Sequence, residues 1–152
     1  MKITPLGAAG GEVTGSAYYV QTQQAHLLID CGLFQGGRKS ESLNRPPTTP
    51  RQKLDAVLLT HGHLDHTGRL PLLARRGHTM PIHATPATME MTALILRDSA
   101  RIQVADNERQ NRRRARAGEP PQEPLYTPED AENVLKLFQP VPYQQPVPVA
   151  GR

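Results

Sequence analysis

The 152-residue sequence has one cysteine, no tryptophan and few aromatic residues of any kind, which make up 4% of the chain. With Cys31 alone, an internal disulfide is excluded, and this suits a reducing compartment. No apolar run approaches the roughly 20 residues that a membrane-spanning helix needs, and the first residues lack the apolar segment of a signal peptide. We therefore expect a soluble cytoplasmic protein without a membrane partner, with a lean core of aliphatic side chains.

The excess positive charge is concentrated in one segment. Lysine and arginine outnumber aspartate and glutamate by 18 to 14, and residues 101–116 alone hold six arginines against one aspartate and one glutamate. Such a segment favours a polyanionic partner. The competing interpretation is a solvated helix face, and no aromatic residue lies between the arginines to stack on bases.

The apolar pattern predicts short strands interleaved with helices. Strands are expected at residues 1–6, 17–20, 26–30, 54–60 and 81–84. Helices are expected at residues 67–76, from the Thr85 N-cap to about residue 117, and from the Thr127 N-cap through Phe138. The first half of the long helix carries apolar residues at helical spacing, namely Met91, Leu94, Ile95 and Ile102. Its second half is polar and basic and is expected to project into solvent.

Half of the six histidines crowd into the stretch THGHLDHTG, directly after the apolar run at residues 54–60. On an extended segment, residues i and i+2 point the same way, so His61 and His63 can bind one metal ion. Asp65 and His66 follow where the chain turns into a helix, and they can face a second ion about 3.5–4 Å away. These donors suit Zn²⁺, with Mn²⁺ or Fe as alternatives. The competing interpretation is a solvated strand-to-helix loop.

Asp30 ends another apolar strand in the same way. Its carboxylate could orient a ligand histidine or position a metal-bound water; capping a loop is the alternative. The remaining histidines, His26, His78 and His83, are expected to have surface or packing roles, and Cys31 is expected to be a small buried residue rather than a soft ligand.

Several motifs resemble the β-CASP branch of the metallo-β-lactamase superfamily, a group of RNA-processing nucleases. They are LGAAGGEVTGS at residues 6–16, LIDCGLFQG at 28–36, LDAVLLTHGHLDHTGRLP at 54–71, ATPAT at 84–88 and DSARIQ at 98–103. The resemblance implies an α/β (α+β) fold, the N-terminal half of an αββα sandwich. It implies that Asp30 and Asp65 are catalytic and that metal is held by His61, His63, Asp65 and His66, the start of a site for two Zn²⁺ ions.

The function implied by the resemblance is an exo- or endoribonuclease, in which a metal-bridging hydroxide attacks the phosphorus of RNA. Phosphate contacts would come from the basic segment, namely from Arg109, Arg112, Arg113, Arg114 and Arg116. Two alternatives stay open. One is a metallo-β-lactamase-fold hydrolase of a small ester or thioester, and the other is a degenerate half-domain without enzymatic activity.

The resemblance also implies that the chain holds only part of the domain, as if truncated. Residues 1–118 would carry the strands and the long basic helix, 119–124 a proline-rich linker, 125–139 a short helix and 140–152 a proline-rich tail. The family's remaining ligands come from its second half, yet no histidine follows His83. We expect the chain alone to be inactive and its sheet to expose an apolar face, through which a homodimer could form.

Overall fold

A computed structural model describes residues 1–8, 13–37, 40, 42–47 and 53–150. Residues 9–12 of the motif at residues 6–16, and parts of the segment at residues 38–52, therefore lie outside the described residues. Within the described ranges, no helix is long and apolar enough to cross a membrane.

The described residues form one six-stranded sheet and four helices, and the strands lie side by side in chain order. In sequence, the elements are β1 Lys2–Gly7, β2 Ala17–Gln21, β3 His26–Ile29, β4 Ala56–Leu58, α1 Leu64–Thr67, α2 Leu70–Arg75, β5 Ile82–Ala84, α3 Pro86–Arg116, α4 Pro128–Leu135 and β6 Phe138–Pro140. Strands β1 to β3 are antiparallel, whereas β3 to β6 are parallel. Helices α1 and α2 form the crossover from β4 to β5, and α3 and α4 form the crossover from β5 to β6. The mixed α/β fold is thus confirmed.

One face of the sheet forms the core with the helices. Strands β3 to β6 each contribute one buried side chain to this face, in register: Leu28, Val57, Ile82 and Phe138. Helical side chains complete the cluster, among them Leu70, Leu73, Leu96 and Val134. Each aliphatic side chain buried in this way stabilises the fold by about 1.5–3 kcal/mol.

The opposite face of the sheet carries apolar side chains that are exposed or half-buried, although Ala56 on this face is fully buried. Ile3, Val20 and Leu27 form one row across three strands, and Ile3 is 54% exposed. Ile29 and Leu58 belong to the next row and are only half-buried. The exposed part of this face is apolar, and the missing packing partner stays a prediction.

The helix expected at residues 67–76 is instead two short helices, α1 and α2. The backbone N–H of Arg69 donates to the carbonyl of Cys31 at 2.8 Å, outside the helical ladder, and this contact separates the two. The last helix was predicted to extend through Phe138, but α4 ends at Leu135. Phe138 belongs to β6 instead, because it pairs with Ile82 and buries its ring in the core.

Helix α3 begins and ends as the sequence predicts. The side chain of Thr85 accepts from the N–H of Thr88, Pro86 occupies the first turn, and Gly118 follows the helix with φ +72°. The apolar series, however, is not the buried face, because Met91, Leu94 and Ile102 are 49%, 71% and 52% exposed. The fully buried residues of α3 form a different set, namely Thr92, Leu96 and Ala100.

Replacing Thr127 with alanine is expected to lower the free energy of unfolding by about 1 kcal/mol. Thr127 and Asp130 form a capping box, in which each side chain accepts from the other residue's backbone N–H. Urea unfolding of the variant measures this loss, with the exposed Thr79→Ala as the matched control. Equal stability of the two variants would contradict the capping contribution.

Candidate metal centre

The histidine cluster lies where β3 and β4 end side by side. These strands are parallel, so their carboxyl ends meet at one edge of the sheet. The N–H of Asp30 donates to the carbonyl of Leu58 at 2.9 Å, which carries the pairing one residue beyond β3. This brings Asp30 to Thr60 and the cluster that follows it.

The four expected metal ligands lie close together. The ring centroids of His61 and His63 are 4.7 Å apart, and those of His61 and His66 are 3.9 Å apart. Asp65 Oδ2 is 3.6 Å from His66 Nε2. In the part of the chain that the structure describes, however, no three of its histidine, cysteine or acidic side chains are arranged to hold a single ion.

Asp30 is hydrogen-bonded to the cluster. It is 2% exposed, and its Oδ2 accepts from His66 Nδ1 at 2.8 Å. The same carboxylate accepts from the N–H and the hydroxyl of Thr60, both at 2.8 Å. Asp30 has φ +58°, a left-handed conformation that aspartate tolerates better than most residues but that still carries strain. Its carboxylate therefore contacts an expected ligand directly.

The backbone of residues 31–33 is clamped against α1. The N–H groups of Cys31 and Leu33 donate to the carbonyls of His66 and Leu64, at 2.7 and 3.0 Å. Gly32 lies between them so closely that an added Cβ would stand 1.6 Å from the Asp65 carbonyl oxygen. These contacts fix the turn that carries Asp65 and His66. Sequence reasoning missed this role, and the only signal for it was a glycine following Asp30 and Cys31.

Arg69 ties the loops around the site together. It is 2% exposed, and its guanidinium donates to the carbonyls of Gly32, Gly15 and Arg45 and stacks 4.7 Å above the ring of Phe34. Burial lowers the pKa of Arg69, but a guanidinium stays charged in proteins. Sequence reasoning did not single it out, and a lone charge within an apolar stretch was the only available sign.

The electrostatic surroundings of His61 favour its metal-binding form. Burial lowers its pKa below the usual imidazole value, the neighbouring His66 and His63 lower it further, and Asp30 and Asp65 act in the opposite direction. A neutral imidazole is the form that binds metal. Cys31 is different, because burial raises the pKa of its thiol to about 12. It therefore stays protonated, as expected of a packing residue rather than a ligand.

The donor set fits zinc. Three imidazoles and one carboxylate are nitrogen and oxygen donors that Zn²⁺ accepts. His66 uses Nδ1 for Asp30, which leaves Nε2 for a metal ion, and a carboxylate behind a ligand histidine is a common arrangement in zinc sites.

The other histidines lie outside this cluster. His26 Nδ1 is 2.6 Å from the hydroxyl of Tyr19, a contact within the sheet. His83 is in β5, and burial lowers its pKa; His78 follows α2, and its pKa is lowered by burial and by Arg76.

The arginines expected to contact RNA lie far from the histidines. Met91 packs at Gly62, where an added Cβ would be 2.9 Å from Met91 Cβ. Arg112 lies on the same helix about 32 Å further along its axis, at 1.5 Å per residue. Two members of the group are in ion pairs, Arg109 with Asp106 and Arg114 with Glu119. Among the described residues, no ion pair involves the other three, namely Arg112, Arg113 and Arg116.

Three histidines and two aspartates thus lie together at the ends of the parallel strands β3 and β4. The chain belongs to the metallo-β-lactamase superfamily, because residues 10–143 match the model of that family.

Named relatives are similar to the chain over part of their own length. Ribonuclease TTHA0252 of Thermus thermophilus is 40% identical over 145 residues, which are 94% of this chain and 28% of the relative. Transcription termination factor FttA of Methanosarcina mazei is 36% identical over 100 residues, 64% of this chain and 16% of that protein. ST1585 of Sulfolobus tokodaii, a solved metallo-β-lactamase superfamily protein, covers 91% of this chain and 48% of its own at 17% identity, with a TM-score of 0.46. The chain thus spans 28% or less of both curated relatives.

Proposed function

We propose that this chain is the N-terminal part of the catalytic domain of a β-CASP ribonuclease that holds two zinc ions and cleaves RNA as an exo- or endonuclease. The observation that carries the proposal is the 2.8 Å contact between Asp30 Oδ2 and His66 Nδ1 within the H-x-H-x-D-H cluster. It supports a built metal site rather than a solvated loop. The names of the two curated relatives, a ribonuclease and a transcription termination factor, support RNA as the substrate.

The residues that would hold metal are His61, His63, Asp65 and His66. A bound zinc ion supplies Lewis acidity, which activates water and offsets the negative charge that builds on the phosphate. Asp30 orients His66 through its Nδ1 and keeps that ring from rotating. Asp65 holds its carboxylate beside the free nitrogen of His66, at 3.6 Å, where it can bind metal or accept a proton.

Further ligands would come from beyond the described residues. No three of the described side chains surround one ion, and the loss of a single supporting residue commonly costs about 10–100-fold in metal affinity or activity. We therefore expect the 152-residue chain alone to bind zinc weakly and to be inactive. Comparison of RNA cleavage by this chain and by the full-length protein tests the proposal, since a full-length protein that is also inactive would contradict it.

The basic end of α3 is proposed to contact phosphates of the RNA. Arg109, Arg112 and Arg116 recur at helical spacing, so they project from one side of the helix, and all three are exposed. Arg113 and Arg114 lie between Arg112 and Arg116 in the chain, and together the five arginines form a distal basic patch. Stacked single strands place one phosphate about every 3.4 Å, so an RNA needs about nine nucleotides to reach from the metal site to this patch.

Replacing Arg112 and Arg116 together with alanine is expected to reduce the salt dependence of RNA binding. Two lost contacts to a single strand lower the slope of log K against log salt by about 1.4. Titrations of the full-length protein with an RNA of about 20 nucleotides, at several salt concentrations, measure this slope. An RNA of about five nucleotides serves as a control, because it is too short to reach from the metal site to the distal basic patch.

The matched control for the arginine pair is Arg75→Ala with Arg97→Ala. It removes the same charge from residues already paired with Glu123 and Glu132. An equal change of slope in the control, or an equal effect of Arg112 and Arg116 on the short RNA, would contradict a contact by the distal basic patch.

Other functions remain distinguishable by experiment. Hydrolysis of a small thioester or ester by the full-length protein, without cleavage of RNA, would favour a different hydrolase of this superfamily. Absence of both activities would favour a degenerate half-domain. Pairing of two copies through the uncovered face of the sheet, around Ile3 and Val20, predicts a dimer in sedimentation experiments. Cytoplasmic localisation also stays a prediction.

A further inference from the structure

Thr60 connects Asp30 to a second histidine of the cluster. Its Oγ1 is 2.8 Å from Asp30 Oδ2, 3.0 Å from His61 Nδ1 and 3.4 Å from His66 Nδ1. His66 Nδ1 is closer to Asp30, at 2.8 Å, so its proton is assigned to that carboxylate rather than to Thr60. The backbone N–H of Thr60 also donates to Asp30 Oδ1 at 2.8 Å, which fixes the residue against the carboxylate. The hydroxyl is therefore held between an acid and an imidazole.

When the carboxylate is ionised and the imidazoles are neutral, the hydrogen-bonding capacity of these groups leaves one consistent arrangement. An ionised carboxylate only accepts, so the single hydroxyl proton of Thr60 is donated to Asp30. The hydroxyl oxygen can then only accept from His61, and His61 Nδ1 must carry the ring proton. The Nε2 atom of His61 is left unprotonated, which is the state required of a nitrogen that binds metal.

We infer that Thr60 is a positioning residue, which relays the charge of Asp30 to His61 and fixes that ring with Nε2 free for a metal ion. Asp30 thereby determines which ring nitrogen is protonated in two histidines. It acts on His66 directly and on His61 through the threonine hydroxyl. The inference rests on the metal site of the proposed function, but not on RNA as the substrate.

His63 is the internal reference for this arrangement. Among the described residues, no hydrogen bond involves the ring of His63, and the residue is exposed. Its tautomer is therefore not set by Asp30 or Thr60. The inference predicts that changes at Thr60 alter one ring, that changes at Asp30 alter two, and that neither alters His63.

The test is nitrogen-15 NMR of the imidazole rings in the metal-free full-length protein, at a pH at which imidazole is neutral. Signals are assigned from His61→Gln, His63→Gln and His66→Gln variants. In the unmodified protein, His61 and His66 are expected with the proton on Nδ1. In Thr60→Val, His61 is expected to shift towards the Nε2-protonated form while His66 stays unchanged. Thr60→Ser keeps the hydroxyl and should keep the original spectrum, and Asp30→Asn should shift both rings.

Zinc affinity gives a second readout. Thr60→Val is expected to weaken zinc binding about 10–100-fold, as is usual for a group that orients a ligand, and Thr60→Ser is expected to restore it. Thr60 is exposed, so the valine variant is expected to fold, and thermal unfolding checks this. An unchanged His61 tautomer in Thr60→Val would overturn the inference. If the tautomer shifts as described but the full-length protein does not cleave RNA, the proposed function fails and the inference stands.

Discussion

Replacing His63 with alanine is expected to lower RNA cleavage by the full-length protein by more than about 100-fold, the upper range for loss of a residue that merely supports a metal ligand. His63 would supply a ligand itself, so its loss removes a direct contact to the metal ion. Adding Ala at His61 as well removes both donors of the H-x-H pair, and we expect no activity to remain. Steady-state cleavage of a labelled single-stranded RNA, with and without added zinc, measures both losses.

The matched control for the histidine variants is His78→Asn. His78 follows α2 and lies outside the cluster, so this variant is expected to cleave RNA at the unmodified rate. A comparable loss in His78→Asn, or near-normal cleavage by the variant lacking both His61 and His63, would contradict a role for the cluster in the reaction.

Replacing Gly32 with alanine is expected to lower the free energy of unfolding by about 3 kcal/mol or more, at the upper end of overpacking effects. The new Cβ would stand 1.6 Å from the Asp65 carbonyl oxygen and 2.8 Å from the His66 nitrogen, and both are backbone atoms that no side-chain rotation can move. Relief of the clash requires α1 to move away from residues 31–33, which would displace Asp65 and His66. We therefore expect weaker zinc binding together with the loss of stability.

Gly37→Ala is the matched control for this glycine. A Cβ added at Gly37 meets no described atom within 4 Å, and the backbone of Gly37 does not adopt a positive φ. The control is expected to leave the free energy of unfolding unchanged or to raise it by less than about 1 kcal/mol. Urea unfolding measures both variants, and equal stability of Gly32→Ala and Gly37→Ala would contradict the clamp between residues 31–33 and α1.

The sequence predicts the local parts of the site. His61, His63, Asp65 and His66 fall within six residues, so their proximity follows from the chain itself. Asp30 could be anticipated too, because it follows an apolar strand, and the ends of parallel strands meet at one edge of a sheet. The starts of α3 and α4 were also predictable, because Thr85 and Thr127 are the N-cap residues of these helices.

The long-range parts of the site could not be predicted from the sequence. Gly32 meets Asp65, and Arg69 meets Gly15, through backbone carbonyls that leave no mark in the identity of the partner residue. The division between α1 and α2 has the same cause, since Arg69 donates its N–H to Cys31 across the fold. Phe138 fits the helical spacing of α4, so the sequence predicts it as part of that helix. Its position in a strand depends on pairing with Ile82, which is distant in the sequence.

Metal analysis of the full-length protein tests the central claim most directly. Protein purified without chelators and dialysed against metal-free buffer is expected to contain about two zinc ions per chain. The variant that lacks the imidazoles of His61 and His63 is expected to retain clearly less zinc while keeping its fold by circular dichroism. Equal zinc contents of the two proteins, or no bound metal in the unmodified protein even after zinc is supplied, would contradict a metal centre at the end of β4.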